Sequence, residues 1–186
     1  MQQNQHHRTR MTFGIASIVV ALLAGCSSSP DGDSGMSASR EKLYESVTEL
    51  VSDSSTVVVG EVIAQETDSE KNTVSTVAIN SIETPPALGE AIGLPELPIL
   101  GSGDSVGVRQ LGTPDMSETP APILEVGQSY LLFLRPTELP GEASELFYVV
   151  GGVAGIFVAD AGTFSRLVRD SGDQLPNQLT TADLAG

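Results

Sequence analysis

The chain has no tryptophan, one cysteine, two histidines and two lysines, and each scarcity closes off a class of chemistry. Both histidines, His6 and His7, stand within the first ten residues. Beyond them there is no imidazole to activate a serine or cysteine nucleophile, to ligate zinc or to hold haem iron. Cys26 has no second thiol for an intrachain disulfide or a metal cluster. The only lysines, Lys42 and Lys71, do not sit in a glycine-rich phosphate loop. Nine Lys and Arg face 24 Asp and Glu, a net charge of −15. Nucleic acids and anionic lipid surfaces select clustered basic residues, so neither is an expected partner. An enzyme built from this chain would have to work with carboxylates, tyrosine or serine alone. Catalysis is therefore not the favoured reading, and no metal or cofactor is expected.

What the chain does have begins at its start. His6, His7, Arg8 and Arg10 precede any acid, and residues 11–24 read MTFGIASIVVALLA without a charge. A spanning helix takes about 20 apolar residues, so this run is too short to cross a bilayer but suits the apolar core of a signal peptide. It ends in Leu23-Ala24-Gly25-Cys26. Those four residues resemble the lipobox of bacterial lipoproteins, in which the cysteine thiol is diacylglycerated and the chain is cut just before it. The resemblance implies cleavage between Gly25 and Cys26 and lipid attachment at Cys26. It implies a protein at the cell membrane, lipid-anchored and facing the extracytoplasmic side, with membrane lipid as its first partner. Each buried acyl methylene contributes about 0.8 kcal/mol, so two or three chains hold firmly where one does not. Loss of residues 1–25 leaves 161 residues, enough for one core. Seven basic residues then face the same 24 acids, a net of −17.

The thirteen residues after Cys26 read SSSPDGDSGMSAS, which makes 26–39 a flexible tether. Fully extended, it reaches about 45 Å. Two motifs inside it are deceptive. Gly32-Asp33-Ser34-Gly35 spells a serine-protease nucleophile signature without the histidine that would activate it. Asp31 and Asp33 open like a calcium loop, but the sixth position is Met36 instead of glycine and the twelfth is Lys42 instead of glutamate.

The folded domain is expected over 40–170. Residues 40–53 predict a helix capped by Ser39, with Leu43, Val47, Leu50 and Val51 on its apolar face and Tyr44 beside it. From residue 56 the period changes to strand. Thr56-Val57-Val58-Val59-Gly60-Glu61-Val62-Ile63 is a continuous β-branched stretch, as for a strand buried on both faces, with Gly60 marking a bulge. The turn Asp68-Ser69-Glu70-Lys71-Asn72 then predicts an antiparallel hairpin with 73–83. A third strand covers 104–111, with Val106, Val108 and Gln110 alternating against Arg109 and Leu111. Tyr130-Leu131-Leu132-Phe133-Leu134 reads as the central core strand. Shorter strands follow at 146–150, 156–159 and 163–168. The glycines of 151–155 read as a close crossing of backbones. Residues 171–186 read as a polar tail with at most a helical turn at 180–184, free to fray.

Residues 84–103, TPPALGEAIGLPELPILGSG, form a long loop with four prolines and four glycines. Leu94, Leu97, Ile99 and Leu100 make it the candidate interaction loop. Such leucines either fold back over an open barrel end or present a contact surface.

The segments Val57-Val58-Val59-Gly60-Glu61-Val62, Val106-x-Val108-Arg109-Gln110 and Val126-Gly127-Gln128-x-Tyr130-Leu131-Leu132-Phe133-Leu134 resemble the OB-type barrels of the netrin-module and metalloproteinase-inhibitor group. The resemblance covers about residues 54–168. It implies a mainly β fold: a small antiparallel OB-like barrel of five to seven strands with one N-terminal amphipathic helix. The inhibitors of that group act through a cysteine at the barrel start and carry disulfides, and both are absent here, so no functional residue carries over. The expected function is a non-catalytic binding module of the envelope, engaging a protein or glycan. Two alternatives stand beside it: a carboxylate-dependent glycan hydrolase, with Glu61, Glu83 and Glu125 as unpaired candidates, and a passive structural component.

Overall fold

The computed structural model describes residues 42–83 and 100–184, all within one unit, Ser34–Gly186. They form a mainly β domain with a single short α-helix, α1 (Val47–Ser52). The strands are β1 (Thr56–Thr67), β2 (Thr73–Ile82), β3 (Ser105–Gln110), β4 (Ser129–Pro136), β5 (Leu146–Val149), β6 (Ile156–Asp160), β7 (Thr163–Arg166) and β8 (Gln178–Thr180). They lie in one sheet in the order β1–β2–β3–β5–β4–β6–β7–β8, and β4 also pairs with β1. The first five strands therefore close into a ring, and β6 to β8 continue outward from β4.

This corrects the expected sheet in two respects. There are eight strands instead of five to seven, and the sheet is mixed instead of antiparallel. The parallel contact is β3 with β5, Gly107 beside Leu146 and Val108 beside Phe147. It arises because β5 returns antiparallel to β4 after residues 137–145 and reaches the remaining open edge, that of β3, in the same direction.

The apolar runs of β1 and β4 are explained by two cores. Val58, Leu132 and Leu134 belong to the interior of the ring, with Val62, Val77, Val108 and Phe147. Their neighbours Val57, Leu131 and Phe133 face the opposite way and pack with α1, β6 and β7. Successive strand residues point to opposite faces, so a strand between two cores has no polar side. The rings of Phe133 and Phe157 meet in the second core at 5.9 Å between centroids. Gly60 is where β1 changes register against β2. A Cβ there would stand 2.5 Å from the Ala78 carbonyl oxygen, so only glycine lets the strands approach.

The helix is shorter than its apolar period suggests. Ser46 is the N-cap, its side chain accepting the Glu49 N–H at 3.2 Å, and residues 42–46 are not helical. Leu43, expected on the buried face, is 54% exposed, whereas Tyr44 is buried. The reason lies at the other end of the chain. Tyr44 N–H donates to Asp173 Oδ1 at 2.8 Å, and its carbonyl accepts the Gln174 N–H at 2.8 Å. A backbone so engaged is not available to a helix.

The C-terminal segment is correspondingly not free to fray. It supplies β8 and buries Leu175, Leu179 and Leu184 in the second core. Its centre is an ion pair between Arg166 and Asp173, whose side chains are 2% and 0% exposed. Arg166 also donates to Ser171 Oγ and to the Leu175 carbonyl. Removing one partner of a buried pair strands the other charge, at about 3–5 kcal/mol. Asp173→Ala is therefore expected to lower unfolding free energy by about that amount in urea titration. A loss below about 1 kcal/mol would show that the termini do not depend on this pair.

Candidate functional site

Where β5 and β6 part company along β4, the surface opens into a cleft of about 890 Å³. Its floor is a row of residues across three adjacent strands. Arg135 on β4 lies directly opposite Tyr148 on β5. Extending the β3–β5 register by one residue sets Arg109 beside Tyr148, and Arg109 Nη1 donates to the Tyr148 hydroxyl oxygen at 2.8 Å. Alternation puts this row on the face opposite Val108, Phe147 and Leu134, outside the ring.

Three walls surround the row. Lys42, Tyr44 and Asp53 stand on one side, Leu111, Pro120 and Ala121 on another, and Val149 to Gly152 close the third. Gln110 fixes the proline wall: its Nε2 donates to the Pro122 carbonyl and its Oε1 accepts the Leu124 N–H, each at 2.9 Å. Gly151, at φ +63°, sets the rim. A Cβ there would come within 2.5 Å of Tyr44 Cε2, so the glycine lets the tyrosine ring lie against the backbone.

The charges of the cleft are unevenly satisfied. Arg109, only 6% exposed, is held by Asp68 at 2.8 Å and Glu70 at 2.5 Å. Burial works against its charge, but the hydrogen bonds to Asp68, Glu70 and Tyr148 outweigh it and hold its proton more firmly than usual. Asp68 is itself anchored in the hairpin turn, where its Oδ1 accepts the backbone N–H groups of Glu70 and Asn72. Burial opposes its ionisation, yet those bonds, with that from Arg109, bring its carboxyl below the ordinary range. Lys42 bonds Asp53 and Glu49, each at 2.8 Å, and both raise its proton affinity, Asp53 more. The Tyr44 hydroxyl donates to Asp53 Oδ2 at 3.1 Å. Burial first, and Asp53 second, push Tyr44 up to about 12. Arg135 is different: it is exposed, and its guanidinium meets no carboxylate among the described residues.

The residues singled out from sequence fall elsewhere. Gly25 and Cys26 lie outside the described residues, as do Leu94, Leu97 and Ile99 of the candidate loop. Leu100 is described; it is half-buried and packs on the core inside the ring, as a leucine folding inward would. Glu61 and Glu125 are exposed, and Glu83 accepts a hydrogen bond from Ser81 Oγ at 2.7 Å. Glu83 shares a groove of about 310 Å³ with Asp160, and none of the three lines the main cleft. Among the described residues no cluster of three or more His, Cys, Asp or Glu could hold a metal ion. Arg109, Arg135 and Tyr148 were not singled out as site residues. The signal available for them was scarcity: in a chain with nine basic residues, an arginine within a strand and another at a strand end are informative.

No protein-family model matches this chain, and no curated protein matches it either.

Two titrations check the electrostatics. A tyrosine whose folded pKa exceeds its ordinary value of 10.0 stabilises the fold below pH 10, and that contribution disappears as pH rises through about 12. Absorbance titration is therefore expected to show a tyrosinate forming near pH 12 that Tyr44→Phe removes, while Tyr130, which burial also pushes up, titrates as before. Asp68 has the opposite sign. Its stabilisation is full above its ordinary value of 3.8 and is lost as pH falls through its lower folded value. Thermal stability of Asp68→Asn should accordingly fall less between pH 5 and pH 2 than that of the unaltered chain.

Proposed function

We propose that this protein is a lipid-anchored lipoprotein of the cell envelope, and that its folded domain is a non-catalytic binding module that takes its ligand in the cleft over Arg109, Tyr148 and Arg135. The anchor rests on the amino-acid sequence: the basic start, the short apolar run, the Leu23-Ala24-Gly25-Cys26 motif and the polar tether that follows. It is compatible with the described residues, among which no helix is long and apolar enough to cross a membrane.

The domain reads best as an OB-type barrel. Support comes from the ring order β1–β2–β3–β5–β4 with β3 and β5 as its parallel pair. Barrels of this kind bind oligomeric ligands over the β2–β3 face and the β1–β2 and β4–β5 loops. The cleft here lies over β3, β5 and β4 and shares those two loops as neighbours. Here the acids of the β1–β2 turn hold Arg109 at one end of the row, and the β4–β5 loop begins just beyond Arg135 at the other.

The observation that carries a binding role is the cleft itself. It has the size of a small-molecule site and combines apolar walls with a few converging polar groups. Hydrolysis is less well supported, because the carboxylates at this cleft are committed to cations: Asp53 to Lys42, and Asp68 and Glu70 to Arg109. A glycosidase pair needs one carboxyl free to donate and one free to attack.

Two measurements test the two halves. Cys26→Ala is expected to leave the membrane fraction and to lose palmitate labelling; a form that still floats with membranes and still labels removes the anchor. For the cleft, amide exchange of the full chain is followed with and without a small-molecule extract of the envelope. Slower exchange at 147–152 is expected, with stabilisation of about 2.7 kcal/mol at a hundredfold excess over Kd. Protection confined to some other surface would remove the cleft as the site.

A further inference from the structure

We propose that the ligand of this cleft is a small soluble molecule carrying one anionic head, a carboxylate or a phosphate, on an apolar body, with the head held by the Arg135 guanidinium and the Tyr148 hydroxyl. The inference rests on the cleft being the binding site and adds the class of molecule bound there.

Charge inventory makes the first argument. Of the cleft's three cations, Lys42 and Arg109 are each bonded to two carboxylates. Arg135 has none among the described residues, and it lines the cleft together with Tyr44 and Tyr148. A guanidinium left open in a chain of net charge −15 is a site for an anion, and its planar fork suits a carboxylate or phosphate.

The second argument concerns direction. Arg109 Nη1 donates to the Tyr148 oxygen, which occupies that oxygen as acceptor and leaves its proton to be given away. No acceptor for that proton occurs among the described residues. The positive charge behind the hydroxyl strengthens it as a donor. Tyr148 and Arg135 are cross-strand partners, so their side chains start about 5 Å apart on one face and can converge on a single head.

The third argument limits what the head belongs to. One open cation suits one anionic group, whereas a nucleic acid is held by several phosphate contacts at once. The surplus of acids repels a bilayer of many anionic headgroups far more than it repels one anionic head, which makes a soluble ligand the better fit. Leu111, Pro120 and Val149 offer the remaining wall to an apolar body.

The chain supplies its own probe. It has no tryptophan and three tyrosines, of which Tyr44 and Tyr148 line the cleft and Tyr130 is buried in the ring. Tyrosine fluorescence of the full chain, held in phosphatidylcholine vesicles, is followed during titration with hexanoate, hexyl phosphate, hexanol, hexylammonium and inorganic phosphate. Hexanoate and hexyl phosphate are expected to change the signal saturably, at concentrations at least tenfold below those needed for hexanol or inorganic phosphate, about the worth of one charged hydrogen bond. Arg135→Gln should weaken hexyl phosphate about tenfold and Tyr148→Phe about fivefold, leaving hexanol unchanged. Arg135→Lys should recover part of the loss, since it restores the charge without the fork. Circular dichroism of each variant checks that the fold is retained. Hexanol binding as tightly as hexyl phosphate would overturn the anionic class while leaving the cleft as the binding site. Anion binding untouched by Arg135→Gln would overturn the assignment to this residue. Silence from every probe would overturn the ligand class and the cleft reading together.

Discussion

The structure depends on one constraint: β1 and β4 are paired strands with a core on each side. A strand so placed can satisfy its backbone only through its two edges, because no water reaches either face. One edge of β4 is taken by β1 along its length. The other edge is divided, with β6 pairing at Tyr130 to Leu132 and β5 at Leu134 to Pro136. At the division the Phe133 carbonyl accepts the Val150 N–H, the point at which one neighbour gives way to the other. Two strands that share an edge must then diverge, and the cleft opens beside that divergence. The cleft is in this sense a consequence of how a doubly buried strand completes its hydrogen bonds.

Scarcity of positive charge gives that surface its character. With so few cations, three of the six described are used to fasten the molecule internally. Arg166 closes the C-terminal segment onto the core, Arg109 ties the β1–β2 turn to β3 and β5, and Lys42 holds the start of the domain to α1. The Arg109 pairs join residues about 40 positions apart, whereas those of Arg166 and Lys42 close local segments of the chain. Arg135 is not used in this way, and it stands where the cleft is widest in chemical variety: hydroxyls, an ion-pair network and apolar wall. Its availability follows from the register of β4 against β5, which aims it across the strand at Tyr148 and away from the acids of the turn.

The termini of the domain also depend on each other. Residues 42–46 stay outside the helix because Asp173 and Gln174 occupy the backbone of Tyr44, and Asp173 can be buried there only because Arg166 neutralises it. That mutual arrangement sets the wall formed by Lys42, Tyr44 and Asp53. The stability of the C-terminal segment and the shape of the cleft are thus linked through a single aspartate.

Some of this was legible in the amino-acid order. The unbroken apolar run at residues 130–134 and the β-branched run at 57–59 could only belong to strands buried on both faces, because alternation would otherwise expose half of each. Gly60 marked the bulge, and Asp68 to Asn72 marked the hairpin, since turn chemistry and strand period are local properties. The anchor proposed from Leu23 to Cys26 likewise rests on composition and order alone. Tertiary structure decided the rest. Periodicity from 40 onward described a helix, but a partner more than a hundred residues away took the backbone of Tyr44 first. The parallel pairing of β3 with β5, and hence the row Arg109–Tyr148–Arg135, depends on β5 inserting between the two strands that precede it in sequence. Register between distant strands is set by which edge remains open after the local hairpins have formed, and that is a property of the closed ring, not of any one segment.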